Sequence, residues 1–146
     1  ASHNIFCSKR RVKFLEMEYS VPRECLFEAF EAVQRVIEEL SFPVTFPVEV
    51  RSLRADDIPL SMASERETGF IAVHLYNRVD PKDFFKRIEH IMDQFNGRPH
   101  WGKLHSLESA QLAELYPRWS EFTEARKALD PDGHFTNSYL ERVLGY

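Results

Sequence analysis

Apolar and polar residues recur at two different periods along this chain, and the changes of period mark its elements. Residues 11–20 mix apolar and charged positions at short period, which suits a strand with one face covered. Residues 22–40 switch to a helical period. Leu26, Phe30, Val33, Ile37 and Leu40 fall on one stripe, Pro22 fits the first helical position, and Pro43 ends the segment. A second strand is predicted over 44–54, with Phe46, Val48 and Val50 pointing one way and Glu49, Arg51 and Leu53 the other. Residues 55–68 read as a long loop, and a loop of that length is usually functional or mobile. A third strand follows at 69–76, where Ile71, Val73 and Leu75 alternate with Phe70, Ala72, His74 and Tyr76. Asp80-Pro81-Lys82-Asp83 opens a helix over 81–93, with Phe84, Ile88, Ile91 and Phe95 as its buried stripe. Asn96-Gly97-Arg98-Pro99 closes that helix and leads into the loop His100-Trp101-Gly102-Lys103. Short helices are predicted at 107–115 and 117–129, then a type I turn at Asp130-Pro131-Asp132-Gly133. Ser138-x-x-Glu141 reads as a capping box for a last helix at 139–144.

The order strand, helix, strand, strand, helix and helical tail predicts an α+β fold. It is an antiparallel sheet with helices on one face, 22–40 and 81–93 among them, plus a C-terminal helical tail. Strands 44–54 and 69–76 should be antiparallel neighbours. The far face of the sheet then carries Glu49, Arg51, His74 and Tyr76.

Composition narrows the class. The chain has 146 residues, 43% hydrophobic and 29% charged, which is one globular domain's worth and argues against disorder. No apolar run approaches the roughly 20 residues a spanning helix needs. The net charge of −4 gives no nucleic-acid footprint. Cys7 and Cys25 lack metal-site spacing and read as reduced thiols of a cytoplasmic protein. The start, Ala1-Ser2-His3-Asn4, lacks both a signal-peptide pattern and Met, so the chain is expected to be cut from something longer.

Three constellations carry candidate chemistry. Glu49-x-Arg51 puts a carboxylate and a guanidinium on one strand face, where they can grip a polyhydroxylated ligand by accepting from and donating to its hydroxyls. The plainer reading is a surface ion pair. Lys103, after Gly102, can present its amine to a cleft, where desolvation or a nearby cation would lower its pKa toward that of a general base. The plainer reading is a solvated lysine in a loop anchored by Trp101. His74 and Tyr76 share a face and would lie beside Glu49 and Arg51 if the strands pair; the histidine could donate to a substrate hydroxyl, or simply be satisfied within the sheet. His100 and His105 are not a helical metal pair, and no metal site is expected. Lys9-Arg10-Arg11 reads as a solvated strand entrance, and the helical aromatics as core.

The ordered set Phe46-Pro47-Val48-Glu49-Val50-Arg51, Gly97-Arg98-Pro99-His100-Trp101-Gly102-Lys103, Tyr116-Pro117-Arg118-Trp119 and Leu129-Asp130-Pro131-Asp132-Gly133-His134-Phe135-Thr136-Asn137 resembles the C-terminal part of the sugar-1,4-lactone oxidases. That family embraces arabinono- and gulono-lactone oxidases and related alditol oxidases, flavoproteins of the vanillyl-alcohol-oxidase class. The resemblance implies that residues 1–146 are a substrate-binding cap domain with a C-terminal helical segment, and that the FAD-binding domain lies outside this chain. FAD is implied as cofactor, held mainly by that missing domain and not by the fragment, which alone would be inactive. Hydride passes to the flavin as the substrate hydroxyl loses its proton. Glu49 and Arg51 match the family pair that holds substrate hydroxyls, and Lys103 matches the lysine that assists deprotonation. His74, Tyr76 and His100 are implied to line the same site. Tyr76 stands where alditol oxidases have a small hydroxyl residue, which leans toward a lactone over an open-chain polyol. The implied partners are the small substrate and the chain's own FAD-binding domain, with no nucleic acid. An interface orphaned from that domain would show as an apolar patch on the Glu49/Arg51 side or along the C-terminal helices, or be covered in a dimer. The full-length enzyme is expected in the cytoplasm, with membrane association as the alternative. The competing readings are an alditol oxidase cap domain, a non-catalytic α+β module for a small polar ligand, and a cap whose flavin domain is a separate chain.

Overall fold

Phe14–Pro22 forms β1, and its alternation divides the molecule. Leu15, Met17, Tyr19 and Val21 point to one face, while Glu16, Glu18 and Ser20 point to the other. The computed structural model describes residues 1–7, 11–40 and 44–145. In chain order the elements are α1 (Ser2–Phe6), β1, a 3-10 turn (Arg23–Cys25), α2 (Leu26–Glu38), β2 (Glu49–Leu53), β3 (Thr68–Tyr76), α3 (Lys82–Gln94), β4 (Arg98–Pro99), α4 (Ser109–Leu115), α5 (Trp119–Leu129) and α6 (Ser138–Leu144). The sheet is four-stranded, in the order β2-β3-β1-β4, and every pairing in it is antiparallel. The fold is α+β, as the pattern predicts.

Helices α2 and α3 pack on each other and on the β1/β3 face that carries Met17, Tyr19, Val21, Ile71, Val73 and Leu75. Ala29, Val33 and Val36 of α2 and Phe84, Ile88 and Met92 of α3 close that core. Leu26, Phe30, Ile37 and Leu40 are only partly buried, so the centre of the α2 stripe is turned from the predicted one toward Ala29 and Val36. Leu112, Tyr116 and Val143 from the C-terminal helices extend the same core.

Several boundaries differ from expectation. Pro22 is the last residue of β1, with an extended backbone (φ −50°, ψ 137°), rather than the first of a helix. The Arg23 amide next to it donates to the Glu67 carbonyl, so sheet pairing outcompetes helix initiation there. Strand β1 begins at Phe14 rather than at residue 11, and β2 covers only Glu49–Leu53 of the predicted 44–54. The cap of α6 is Asn137, whose side chain accepts from the Leu140 amide at 3.0 Å, in place of Ser138. Lys9 and Arg10 of the expected strand entrance, and Pro43 as helix terminator, lie outside the described residues.

Two local motifs place the loop that follows α3. Asn96 takes a left-handed conformation (φ 50°) and its amide donates to the Asp93 carbonyl, while the Gly97 amide donates to the Met92 carbonyl at 2.8 Å. A Cβ at Gly97 would stand 2.7 Å from that carbonyl oxygen, so the position has no room for a side chain. The chain then runs back along β1 as β4. The segment 55–68 is ordered and held: the Arg98 guanidinium donates to the Met62, Ser64 and Leu115 carbonyls, and the Trp101 indole N–H donates to the Leu60 carbonyl. Among the described residues no helix is long and apolar enough to cross a membrane.

Candidate functional site

The face of the sheet away from α2 and α3 carries an alternating line of charge. Glu18 on β1 is only 1% exposed. One carboxylate oxygen accepts from Arg51 on β2, and the other from Lys103 in the loop after β4. Lys103 also donates to Glu16 Oε1 at 2.5 Å, and the same oxygen lies 3.1 Å from His74 Nε2 on β3. The sequence Arg51–Glu18–Lys103–Glu16–His74 therefore crosses three strands and a loop without two like charges in direct contact. A buried carboxylate costs several kcal/mol to desolvate unless it is paired and hydrogen-bonded, and Glu18 is both.

The backbone explains why Lys103 arrives there. The His100 amide donates to the Glu18 carbonyl and the Leu104 amide to the Glu16 carbonyl, at 2.9 and 3.0 Å. Between these two anchors the chain turns, with the Lys103 amide donating to the His100 carbonyl at 3.1 Å. The turn lifts Lys103 over the two glutamates. His100 Nδ1 accepts from the Gly102 amide at 3.0 Å, which orients the ring. Trp101 packs on Tyr116 and fastens the turn to the body of the protein.

Two concavities flank this line. One of ≈340 Å³ is lined by Glu18, Arg51, Leu53, Ser61, Met62 and His100, among others. The other, of ≈500 Å³, is lined by Glu16, Lys103, Trp101 and Tyr139, among others. Ser61 and Met62 come from the segment 55–68, so its ordered packing shapes the first concavity.

Electrostatics differ from the expectation for Lys103. Burial pulls its pKa down, but the hydrogen bonds and charges of Glu16 and Glu18 outweigh it, so the amine is held above the ordinary lysine value. Burial likewise works against the charged form of Glu16, while Lys103 and His74 hold its carboxyl below the usual range. Lys103 is an ammonium here, not the lowered amine predicted for a general base. Desolvation or a neighbouring cation would lower the value, but the neighbours that decide it here are the anions Glu16 and Glu18.

Known proteins resemble the chain along almost its whole length. Residues 1–143 match the family described as D-arabinono-1,4-lactone oxidase. The chain belongs to that family. It is 45% identical over 144 residues to an L-gulono-1,4-lactone dehydrogenase of Mycobacterium tuberculosis, a match that covers 99% of this chain and 34% of the relative. It is 37% identical to the mouse L-gulonolactone oxidase, with 98% of this chain and 34% of the relative covered. An alditol oxidase of a Streptomyces species is 35% identical, with 89% of this chain and 31% of the relative covered. The chain thus spans about a third of the length of these relatives.

Within this family member, the residues singled out in the sequence fall into two groups. Arg51, Lys103 and His74 join one polar line, and His100 lines the adjoining concavity. Glu49 and Tyr76 do not join it. Glu49 pairs with Ala72 on the edge of the sheet, on the same face as Arg51, but its exposed side chain makes no hydrogen bond or ion pair with the described residues. The predicted Glu49–Arg51 pair is replaced by Arg51–Glu18. Tyr76 sits at the end of β3 opposite Phe14, with Arg78 over its ring, and lines neither concavity. His74 and Tyr76 pair with Glu16 and Phe14 beyond the end of β2, so neither lies directly across from Glu49 or Arg51.

Glu16 and Glu18 were missed by sequence reasoning. The available signal was Glu16-x-Glu18 at period two within a strand whose other positions, Leu15, Met17, Tyr19 and Val21, are apolar. His74 keeps a further opening: its Nδ1 is buried and has no hydrogen-bond partner among the described residues. Its ring packs against Phe14 and Phe46. Large apolar side chains also stand exposed near the site, at Leu53 and Ile58, and on the C-terminal segment, at Leu129 and Phe135.

Proposed function

We propose that this chain is the substrate-binding part of a larger FAD-dependent oxidoreductase that oxidises a sugar-1,4-lactone at a carbinol. The observation that carries the reading is the Arg51–Glu18–Lys103–Glu16–His74 line on the sheet face turned away from the helices, in a chain of the D-arabinono-1,4-lactone oxidase family. A polyhydroxylated ring needs several oriented donors and acceptors at once, and convergent groups supply them. The unpartnered His74 Nδ1 fits a face completed by a further polar group, and a bound flavin and substrate would complete it. The names of the relatives, two gulonolactone enzymes among them, support a lactone as the substrate.

The chemistry that FAD supplies when bound is acceptance of a hydride. In this reading the flavin is held mainly by the chain's own N-terminal FAD-binding domain, outside residues 1–146. Arg51, half-exposed beyond its contact with Glu18, donates to a substrate hydroxyl, and Glu49 accepts from another. Lys103 donates from its ammonium to the carbinol oxygen and stabilises the charge that oxygen gains as its proton passes to the Glu16 carboxylate, which lines the same concavity. His74 accepts or donates at Nδ1, its other nitrogen being held by Glu16. His100 forms part of the wall, whereas Tyr76, away from both concavities, gives no structural basis for preferring lactone to polyol.

The test is anaerobic flavin reduction in the full-length protein, comparing sugar-1,4-lactones with open-chain alditols. Reduction by a lactone is expected, with Lys103→Ala slowing it while FAD stays bound. An alditol as the better reductant would support the alditol oxidase reading, and no reduction by either class would overturn the assignment.

A further inference from the structure

We propose that Glu18, with Glu16 beside it, positions the catalytic cations: the two carboxylates set the spacing of Arg51 and Lys103 on the open face of the sheet. The inference rests on the lactone-oxidising reading for its activity arm only.

The geometry is specific to positioning. Glu18 uses one oxygen for a guanidinium on β2 and the other for an ammonium from the loop after β4, so a single buried group ties an edge strand to a loop some fifty residues later. Its burial leaves little freedom: the backbone carbonyl of Glu18 accepts from His100 and that of Glu16 from Leu104, which fixes the loop ends on the same two residues whose side chains hold Lys103. The loop and its lysine are therefore registered twice on β1, once through the backbone and once through charge. The ionisable groups facing Lys103 are Glu16 and Glu18 from β1, with His74 from β3 and Arg51 from β2 behind them. Neutralising either carboxylate leaves the ammonium less compensated, and the free amine becomes more abundant at a given pH.

Full-length Glu18→Gln and Glu16→Gln proteins provide the test, since both substitutions keep side-chain size and remove charge. Trace acetylation with acetic anhydride, read by mass spectrometry, measures the reactivity of Lys103 relative to the exposed Lys82 and Lys86 in the same sample. Each variant is expected to raise the relative reactivity of Lys103 by about tenfold. Global destabilisation would raise Lys82 and Lys86 as well, so a selective rise reports the local contact with Lys103, and a fall in kcat with FAD retained separates positioning from a merely structural ion pair. In the activity arm, kcat with a sugar lactone is expected to fall about 10- to 100-fold in Glu18→Gln with FAD content unchanged. Where Glu18→Gln does not fold, Glu16→Gln, at a half-buried position, carries the test. Unchanged relative reactivity of Lys103 in the folded variants overturns the inference, even if the lactone is oxidised. Raised reactivity in a protein that oxidises no lactone supports the inference and overturns the functional reading alone.

Discussion

The two faces of the sheet are buried by different means. On the helix side, Met17, Tyr19, Val21, Ile71 and Val73 are excluded from water by apolar packing against α2 and α3. On the open side, Glu18, Ser20 and His74 are nearly as inaccessible, yet Glu18 and Ser20 are satisfied by charge and hydrogen bonds, and His74 is held through its Nε2 by Glu16. Apolar packing is non-directional and tolerates exchange of shape at modest cost, whereas the open side depends on particular partners in particular places. The same nine-residue strand β1 supplies both, because successive side chains point to opposite faces. The comparison teaches that burial by itself does not distinguish scaffold from site in this protein; the kind of partner does.

That contrast can be broken or sharpened by substitution. The largest effect is expected on the helix side: Phe84→Ala should destabilise the chain by about 3–5 kcal/mol in chemical denaturation, without a selective change in the reactivity of Lys103. Next comes acid sensitivity at His105, beneath the site loop. Burial, reinforced by Arg142 of α6 and opposed by Glu89 of α3, lowers its pKa to about 4. Its Nε2 lies 3.2 Å from the Tyr139 hydroxyl, which itself donates to the Trp101 carbonyl. The folded form stays neutral where the unfolded form takes up a proton, so the contribution is complete above the ordinary value of 6.5 and is lost as pH falls toward 4. The loss should amount to about 2–3 kcal/mol over that interval, and His105→Gln should flatten that part of the stability–pH curve.

On the open side the effects should move from stability to function. Arg51→Ala removes a half-exposed cation while Glu18 keeps Lys103, so under the proposed function kcat/KM of the full-length protein with a sugar lactone should fall about 10- to 150-fold, or about 1.5–3 kcal/mol. Stability should change by less than in Phe84→Ala. The smallest structural effect is expected for Glu49→Ala, within about 0.5 kcal/mol, since the side chain is exposed and unengaged by the described residues. Any loss there should appear as a raised KM. A stability loss at Glu49 as large as that at Phe84 would contradict the division between the two faces.

Much of the scaffold was legible because it follows local period. The alternation at 69–76 identified β3, and the stripe Phe84, Ile88, Ile91 identified α3, since apolar burial repeats with the geometry of the element itself. Pro22 was misread because the helical and extended uses of a proline share nearly the same φ, and only the Arg23 amide bond to Glu67 decided between them. The site was legible in part. Arg51, His74, His100 and Lys103 stood out as polar residues in chemically suggestive contexts. Glu16 and Glu18 did not, because a carboxylate in a strand is ordinarily solvated and nothing local says that it will be buried.

Residue pattern alone was enough for the α+β class, the antiparallel neighbours β2 and β3, the turn at Gly133 and the polar character of the open face. These depend on neighbours two to four positions apart, whose relative directions the backbone sets. The pairing of Arg51 with Glu18 instead of Glu49, the seating of Lys103 between two carboxylates, and the resulting rise in its pKa depend on groups 33 to 87 positions apart. Only the strand order β2-β3-β1-β4 and the turn between His100 and Lys103 bring those groups together. The sign of a pKa shift follows from which charges end up nearest, and that is a property of the assembled sheet rather than of any segment of it.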